Sequence, residues 1–310
     1  MSQIRPLQAA DIPAVAGLFQ RTFRDGGKPP PPALETYLRW HYLEGPVRDP
    51  EIASLVHIAS EGDISGFVGV NVLPMRHGQR KLRAAICGSL MVEPRANDPM
   101  AGARLLRTFL AGPQDISFSE TANALSTQMW TKLRGVALPQ YSLDWIRVIR
   151  PSALLLDLAS RRAFPLRPDW SAEQLAHILA EASQKPDYGE AVFASVSSPS
   201  GALVGAFLYH TRPGRMARVL QVLALPGQAG SVVDCLIGDA ARRGAAGLRG
   251  RTQPALLAAM LGRRVAFTQP ASTVVHSRDE ELVNAFLSSQ GFFNGLAGEH
   301  WNRLSGERFE

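Results

Sequence analysis

The residues that could do chemistry cluster in the first half of the chain. An apolar run over residues 86–92 ends at Pro94, a loop without hydrophobic periodicity follows, and residues 101–110 read as a helix. A strand, a loop and a helix start in quick succession aim free backbone N–H groups and the positive helix end at one point, which suits a phosphate. Glu93 and Glu120 stand at the ends of two strand-like runs, where a carboxylate can take a proton or can cap a helix. His41, between Trp40 and Tyr42, could line a pocket or pack on its helix; His57, in an apolar run, could serve as a base or be a satisfied core histidine. Cys87 has no base at a telling spacing and reads as core. With Cys235 it completes the cysteine set, which is too small for a disulfide framework and fits no structural zinc site, so no metal is expected.

The elements that position these groups belong to a globular chain. Its 310 residues are 45% hydrophobic and 19% charged, enough for one large or two ordinary domains with a real core. No apolar run is long enough to span a membrane, and the first residues lack a signal peptide's apolar stretch, so the expectation is a protein of the reducing cytoplasm. The net charge is +6, carried almost entirely by arginine, because Lys28, Lys81, Lys132 and Lys185 are the only lysines. The basic residues form no dense tract and do not alternate with aromatics, which argues against nucleic acid as a partner. A modest positive surface would help a polyphosphate cofactor find its site.

Along the chain, Asp11 caps and Pro13 opens a predicted helix with Val15, Leu18, Phe19 and Phe23 on one face. A glycine- and proline-rich break at 26–32 precedes a second helical pattern over 34–43. Runs at 53–59, 64–73 and 82–92, separated by turns, predict three antiparallel strands feeding the loop described above. After the helix at 101–110 come a short strand at 116–119, a helix at 123–133 and a last strand at 141–149. The order is βααβββαβαβ.

This order and the loop resemble the GNAT superfamily of acyl-CoA N-acyltransferases. There the loop reads Val-x-Pro-x-x-Arg-x-x-Gly-x-Gly-x-x-Leu. Val92, Pro94, Gly102 and Leu105 fall in register, while Asn97 and Met100 stand where the family has Arg and its first Gly. The resemblance implies that the fourth and fifth strands splay apart and that acetyl-CoA or another acyl-CoA lies in the gap. It implies that the N–H groups of Met100, Ala101, Gly102, Ala103, Arg104 and Leu105 hold the pyrophosphate, with Asn97 bonding a phosphate without adding charge. Backbone groups of Leu90, Met91 and Val92, at a strand edge without a neighbour, would meet the pantetheine arm. Residues 123–135 resemble the family's Asn-x-x-Ala-x-x-x-Tyr-x-x-x-Gly. Asn123 matches, as a CoA contact or a helix cap; Ser126 is at the Ala position, Trp130 replaces the Tyr that commonly protonates the leaving thiolate, and Gly135 is one place late. An indole is no acid at neutral pH, which leaves Ser126, a water or unassisted departure. Glu120 would face the acyl site as base, with Glu93 as the other carboxylate. Trp40, His41 and His57 are the expected acceptor-binding residues. The segment 37–42 also looks like GNAT relatives linked to cell-surface polysaccharide.

The pattern then restarts. Residues 151–168 carry Pro151, Pro165 and Pro168 and read as a linker, and Ser171 to Gln174 resembles a capping box. Strands are predicted at 191–197, 203–209 and 218–225, and a helix at 231–242. The glycine spacing at Gly62 and Gly66 returns at Gly201 and Gly205, which suggests an internal duplication. The second loop, 226–231, is short and lacks Arg and Lys, so this half is expected to bind CoA weakly or not at all. Glu299, His300 and Trp301 form a polar-aromatic cluster that could reach the cleft between halves or anchor a strand end.

The fold class expected is therefore α/β (α+β): two tandem GNAT-like domains, each a mixed, mainly antiparallel sheet flanked by helices, at 1–150 and 169–310. The expected function is transfer of an acetyl or short acyl group from CoA to a primary amine, an amino sugar or amino acid. The partner is that small-molecule acceptor, not a membrane; a homodimer is left open. The alternative is a non-catalytic binding or regulatory protein on the same fold, for which the missing Arg, Gly and Tyr speak.

Overall fold

The computed structural model describes residues 2–24, 26–93, 98–148, 165–307 and 309. Strand β1 (Gln3–Pro6) leads to helix α1 (Ile12–Phe23), which has Pro13 in its first turn and buries Val15, Leu18 and Phe19. Asp11 does not cap this helix with its side chain. Its carboxylate instead receives Arg5 at 2.6 and 2.8 Å and the Gln8 N–H at 2.8 Å. Helix α2 (Pro32–Arg39) runs on into a π-helical turn, Trp40–Glu44, closed by the Gly45 N–H on the Trp40 carbonyl at 2.6 Å. Then β2 (Leu55–Ile58), β3 (Ile64–His77) and β4 (Arg80–Val92) form the expected antiparallel meander.

Helix α3 (Ala101–Leu110) covers this sheet with Leu105, Leu106 and Phe109 against Val68, Val70 and Cys87. After it come β5 (Ile116–Ala122), α4 (Ala124–Lys132), β6 (Val136–Ala137), the short α5 (Pro139–Ser142) and β7 (Asp144–Val148). The second half supplies β8 (Leu166–Pro168), α6 (Ala172–Ser183), β9 (Glu190–Ser197), β10 (Leu203–Thr211) and β11 (Met216–Ala224). It continues with α7 (Ala229–Arg242), β12 (Gly247–Arg251), α8 (Pro254–Met260), β13 (Ala266–Thr268), β14 (Ser272–Ser277) and α9 (Glu280–Leu287). The capping box forms at α6: the Gln174 N–H donates to Ser171 Oγ at 3.1 Å and the Ser171 N–H to Gln174 Oε1 at 3.0 Å.

These strands make two mixed, mostly antiparallel sheets. The eight-stranded sheet runs β1-β2-β3-β4-β5-β14-β6, with β8 on β3; the six-stranded sheet runs β13-β7-β12-β11-β10-β9. Neither sheet comes from one half of the chain. The expected strand at 141–149 starts later, because Tyr141 and Ser142 belong to α5, and Ile149 lies outside the described residues. The strand β7 that does form pairs with β12 and β13 in the second sheet. In return β14 inserts between β5 and β6 of the first. Tyr141 is fully buried at this crossing and donates to the Gly291 carbonyl at 2.6 Å. Among the described residues no helix is long and apolar enough to cross a membrane.

Candidate active site

The parallel strands β4 and β5 pair only through residues 84–86 and 116–118. Beyond that point they separate. Strand β4 carries a bulge there: Gly69 pairs with Gly88 and Phe67 with Met91, so Ser89 and Leu90 face the single residue Val68. Ser89 takes a positive φ of 53° at the bulge. The fork leaves the Glu120 N–H of β5 without a strand partner, and a side chain from the end of the chain fills that role. Glu299 Oε1 accepts the Glu120 N–H at 2.9 Å, and the Thr121 hydroxyl is 3.3 Å from Oε2. A Cβ on Gly88 would sit 3.4 Å from Glu299 Oε2, so the carboxylate bridges the two arms of the fork.

Glu299 is itself held by Glu120. The Glu299 N–H donates to Glu120 Oε2 at 2.7 Å, and Gly298 is required because any Cβ there would run into that carboxylate. Burial, then the Glu120 charge, pushes the Glu299 carboxyl up to about 7, against the opposing pull of its hydrogen bonds and Arg251. Glu120 goes the other way. Burial raises it, but His300, Arg251 and the Glu299 N–H together hold it down at about 2. His300 Nδ1 lies 2.7 Å from Glu120 Oε1 as an ion-pair contact, with its N–H not aimed along that line. Arg251 donates to the Glu120 carbonyl at 2.5 Å. Two adjacent buried carboxyls thus have environments that drive their pKa values apart, the arrangement by which proteins set aside one group to exchange protons and keep the other charged.

The segment that delivers Glu299 is anchored in a second fork. Strands β11 and β12 pair in parallel only from Met216 and Gly247 to Val219 and Gly250. Asn294 donates from Nδ2 to the Thr252 and Tyr141 carbonyls at 2.8 and 2.9 Å, and the Leu296 N–H donates to Gln221 Oε1 at 3.2 Å. Gly295, at φ 64°, lies so close to the Leu220 carbonyl that no side chain would fit. The second fork is therefore occupied by the chain itself.

A cavity of about 200 Å³ opens beside Glu299, between α1, the β4 bulge and the terminal segment. Phe19, Phe23, Arg24, Tyr42 and Leu304 line it with Ser89 and Asn302. Tyr42 reaches it because of the π-helical turn, which advances the ring toward Gly69; a Cβ at Gly69 would overlap the phenol. Burial pushes the phenol's pKa up, and its hydroxyl is hydrogen-bonded with Ser89.

At the far end, α3 starts without a side-chain cap on its N-cap residue. Asp98 accepts the Met100 N–H at 3.0 Å through Oδ1 and the Ala101 N–H at 3.2 Å through its carbonyl, and its other oxygen pairs with Arg104. The Gly102 and Ala103 N–H groups have no acceptor among the described residues. Met100 is 56% exposed and lines none of the cavities described. Gly102 packs on β4: a Cβ there would be 3.3 Å from Val92 Cγ2, which sets how closely this helix start approaches the strand.

The remaining expected residues fall as follows. Glu93 points away from the fork and takes Arg21 at 2.7 and 2.9 Å. Asn123 caps α4, its Oδ1 accepting the Ser126 N–H at 2.8 Å, which puts Ser126 in the first turn of that helix. Trp130 is wholly buried beside Phe109, its Nε1 without a partner among the described residues, and is core. Leu90 and Val92 are half-buried, Met91 is buried, and Leu105 is core. Asn97 lies outside the described residues. Trp40 and His41, expected at the acceptor pocket, pack instead against His177 and Trp301; burial lowers the His41 imidazole to about 3. His57 lies at the other end of the site, 2.7 Å from Ser65 Oγ and 2.7 Å from Arg104, beside the α3 start. Glu120, expected as base, is kept ionised. Its C-terminal neighbour in space was marked in the sequence only as the Glu299-His300-Trp301 cluster, and Arg24 and Tyr42 were not marked. The Gly88-Ser89 pair inside a strand run was the available signal for the bulge.

A sheet forked between two parallel strands, with a bulge on the longer arm and a helix start at its mouth, defines the GNAT fold, and this chain has it. Solved structures that share it include the conserved Enterococcus faecalis V583 protein, a probable N-acyltransferase, at TM-score 0.64 and 10% identity, covering 89% of this chain and 72% of that one. The GCN5-related N-acetyltransferases from Kribbella flavida and Anabaena variabilis both reach TM-score 0.59, at 12% and 11% identity; each covers 90% of this chain, and 72% and 74% of their own. No protein-family model matches the sequence, and no curated protein does.

Proposed function

We propose that this protein is an acyl-CoA-dependent N-acyltransferase that moves an acetyl or short acyl group to a primary amine, with Glu299 as the general base. The observation that carries the reading is the Glu299 carboxyl, buried in the fork at about 7 beside a cavity. A base near the working pH both accepts a proton readily and is ionised often enough to act. Glu299 would take the proton from the acceptor ammonium. Glu120 would stay charged and keep the Glu299 pKa raised, acting as a positioning residue.

The fork fits an acyl-CoA. Its arms have parted, the Gly102 and Ala103 N–H groups meet no acceptor among the described residues and could turn to a pyrophosphate, and Met100 points outward. Bound acyl-CoA would supply a thioester, whose C–S bond breaks as the C–N bond to the amine forms. Backbone groups of residues 90–92 would flank the pantetheine arm, and Tyr42 would hold its hydroxyl at the bulge beside Ser89. We read the chain as two GNAT-like units divided near residue 150 that have exchanged strands; β7 beside β12 mirrors β14 beside β5. The filled second fork supports cofactor binding by the first unit alone. Cys87 and Cys235, neither in a disulfide, fit a reducing cytoplasm.

The non-catalytic alternative draws on one observation, the Asp98 carboxylate at the mouth where a pyrophosphate would bind. One experiment decides between the two readings: calorimetric titration with CoA, followed by thiol release from acetyl-CoA in the presence of primary amines. Heat of binding with amine-dependent thiol release is expected; no heat at millimolar CoA would sink the acyltransferase reading.

A further inference from the structure

The acceptor cavity holds a positive charge to which no carboxylate among the described residues is hydrogen-bonded. Arg24 follows the last residue of α1, is half-buried, and lines the same cavity as Glu299. Its Nη1 donates to the Phe23 carbonyl at 3.0 Å, and its Nη2 to the Leu304 and Glu307 carbonyls at 2.9 and 3.0 Å. Among the described residues every acceptor it meets is thus a neutral backbone carbonyl. The side chain of Glu307, whose carbonyl Arg24 meets, is engaged elsewhere, on Arg303 at 2.6 and 2.7 Å. The guanidinium lies over the Phe19 ring, 5.1 Å from its centre, which orients it without cancelling its charge. A half-buried cation that is hydrogen-bonded to no anion among the described residues has a standing demand for one, and its remaining N–H groups can give a carboxylate charge-assisted hydrogen bonds.

We propose that the acceptor is a primary amine that also carries a carboxylate, on a small apolar body, and that Arg24 holds that carboxylate while Glu299 receives the ammonium. This rests on the N-acyltransferase reading and narrows it to amino acids over amino sugars. The apolar body is set by Phe19, Phe23 and Leu304. The size is set by the cavity, whose 200 Å³ falls below the ~300–1,000 Å³ of sites for drug-sized ligands. A sugar would bring several hydroxyls to these rings and leave them unpaired, and it would offer Arg24 no charge.

The test compares leucine with isopentylamine, its decarboxylated counterpart, and with glucosamine, each with acetyl-CoA and followed by thiol release. The wild-type protein is expected to favour leucine by at least tenfold in kcat/KM over both. Arg24→Met should abolish that preference, chiefly through KM, and Arg24→Lys should keep part of it. Equal or better turnover of isopentylamine or glucosamine by the wild type overturns the proposal while leaving the acyltransferase reading intact. If no amine is acylated, the acyltransferase reading fails instead, and calorimetry of leucine against isopentylamine then decides the Arg24 site on its own: tighter leucine binding supports it, equal or weaker binding overturns it. Because the wild-type comparison needs no variant, a poorly folded Arg24→Met protein does not blur the result.

Discussion

Glu120 and Glu299 each give a backbone N–H to the other's carboxylate, at 2.9 and 2.7 Å, although the residues are 179 positions apart. The exchange closes the open edge of β5 and lodges a second buried carboxylate beside the first. Two like charges so close cannot both ionise freely, and the surroundings decide which one does. His300 and Arg251 stand on the Glu120 side, so Glu120 keeps its charge and Glu299 receives the shift.

Glu299→Gln should lower kcat/KM for acyl transfer by about 10²- to 10⁴-fold, the usual cost of losing a general base. In the wild type the rate should rise with pH to a plateau, with an apparent pKa of about 7. A pH–rate profile of both proteins checks this.

The same substitution should stabilise the fold at alkaline pH. Because burial and Glu120 raise the Glu299 pKa, the folded state holds that proton more tightly than the unfolded chain does. The contribution is fully present below the ordinary carboxyl value of 4.5 and is lost as pH rises through about 7. Glu299→Gln keeps an acceptor for the Glu120 N–H and removes the charge, so its unfolding free energy should exceed the wild type's at pH 8 by up to about 3 kcal/mol, with a higher melting temperature, and both should match the wild type near pH 4. Thermal unfolding at the two pH values reads the difference.

Glu120→Gln should act in two opposed ways. Removing the charge next to Glu299 should move the acid limb of the rate profile to lower pH. It should also leave His300 without its carboxylate partner, while Arg251 keeps the Glu120 carbonyl and Asp144, costing roughly 3 kcal/mol at neutral pH. The Glu120 pKa is lowered, so in the wild type its contribution is present above 4.5 and is lost as pH falls through about 2. Denaturant unfolding at pH 7 and pH 3 should therefore show a smaller gap between variant and wild type at the lower pH.

Asp98→Asn should tighten CoA binding by about 3- to 10-fold, because the carboxylate at the start of α3 opposes a pyrophosphate and engages Arg104. Asn can still accept the Met100 N–H. Titration with CoA at low and high salt checks both the gain and its screening.

The exchanged strands predict one cooperative unit. A fragment ending at residue 150 lacks β14 and leaves the β5 and β6 edges open, so it should not fold alone. The whole chain should unfold in a single transition, coincident by circular dichroism and tryptophan fluorescence. A folded fragment, or two separate transitions, would contradict this.

The sequence by itself determined the local elements and the order that makes a GNAT fold. Apolar runs with turn residues between them fixed β2, β3 and β4, and the Ser171–Gln174 box fixed the start of α6, because these signals act between residues close along the chain. The strand–loop–helix joint at residues 86–110 was legible for the same reason. Tertiary structure alone decided where β7 pairs, since a short strand carries no mark of which open edge will take it. It alone decided that Trp130, His41 and Trp40 are packed away, while Tyr42, from the same turn, enters the cavity. And it alone made Glu299 the raised carboxyl in place of Glu120: a pKa depends on burial and on charges brought together in space, and the groups that set this one come from both halves of the chain.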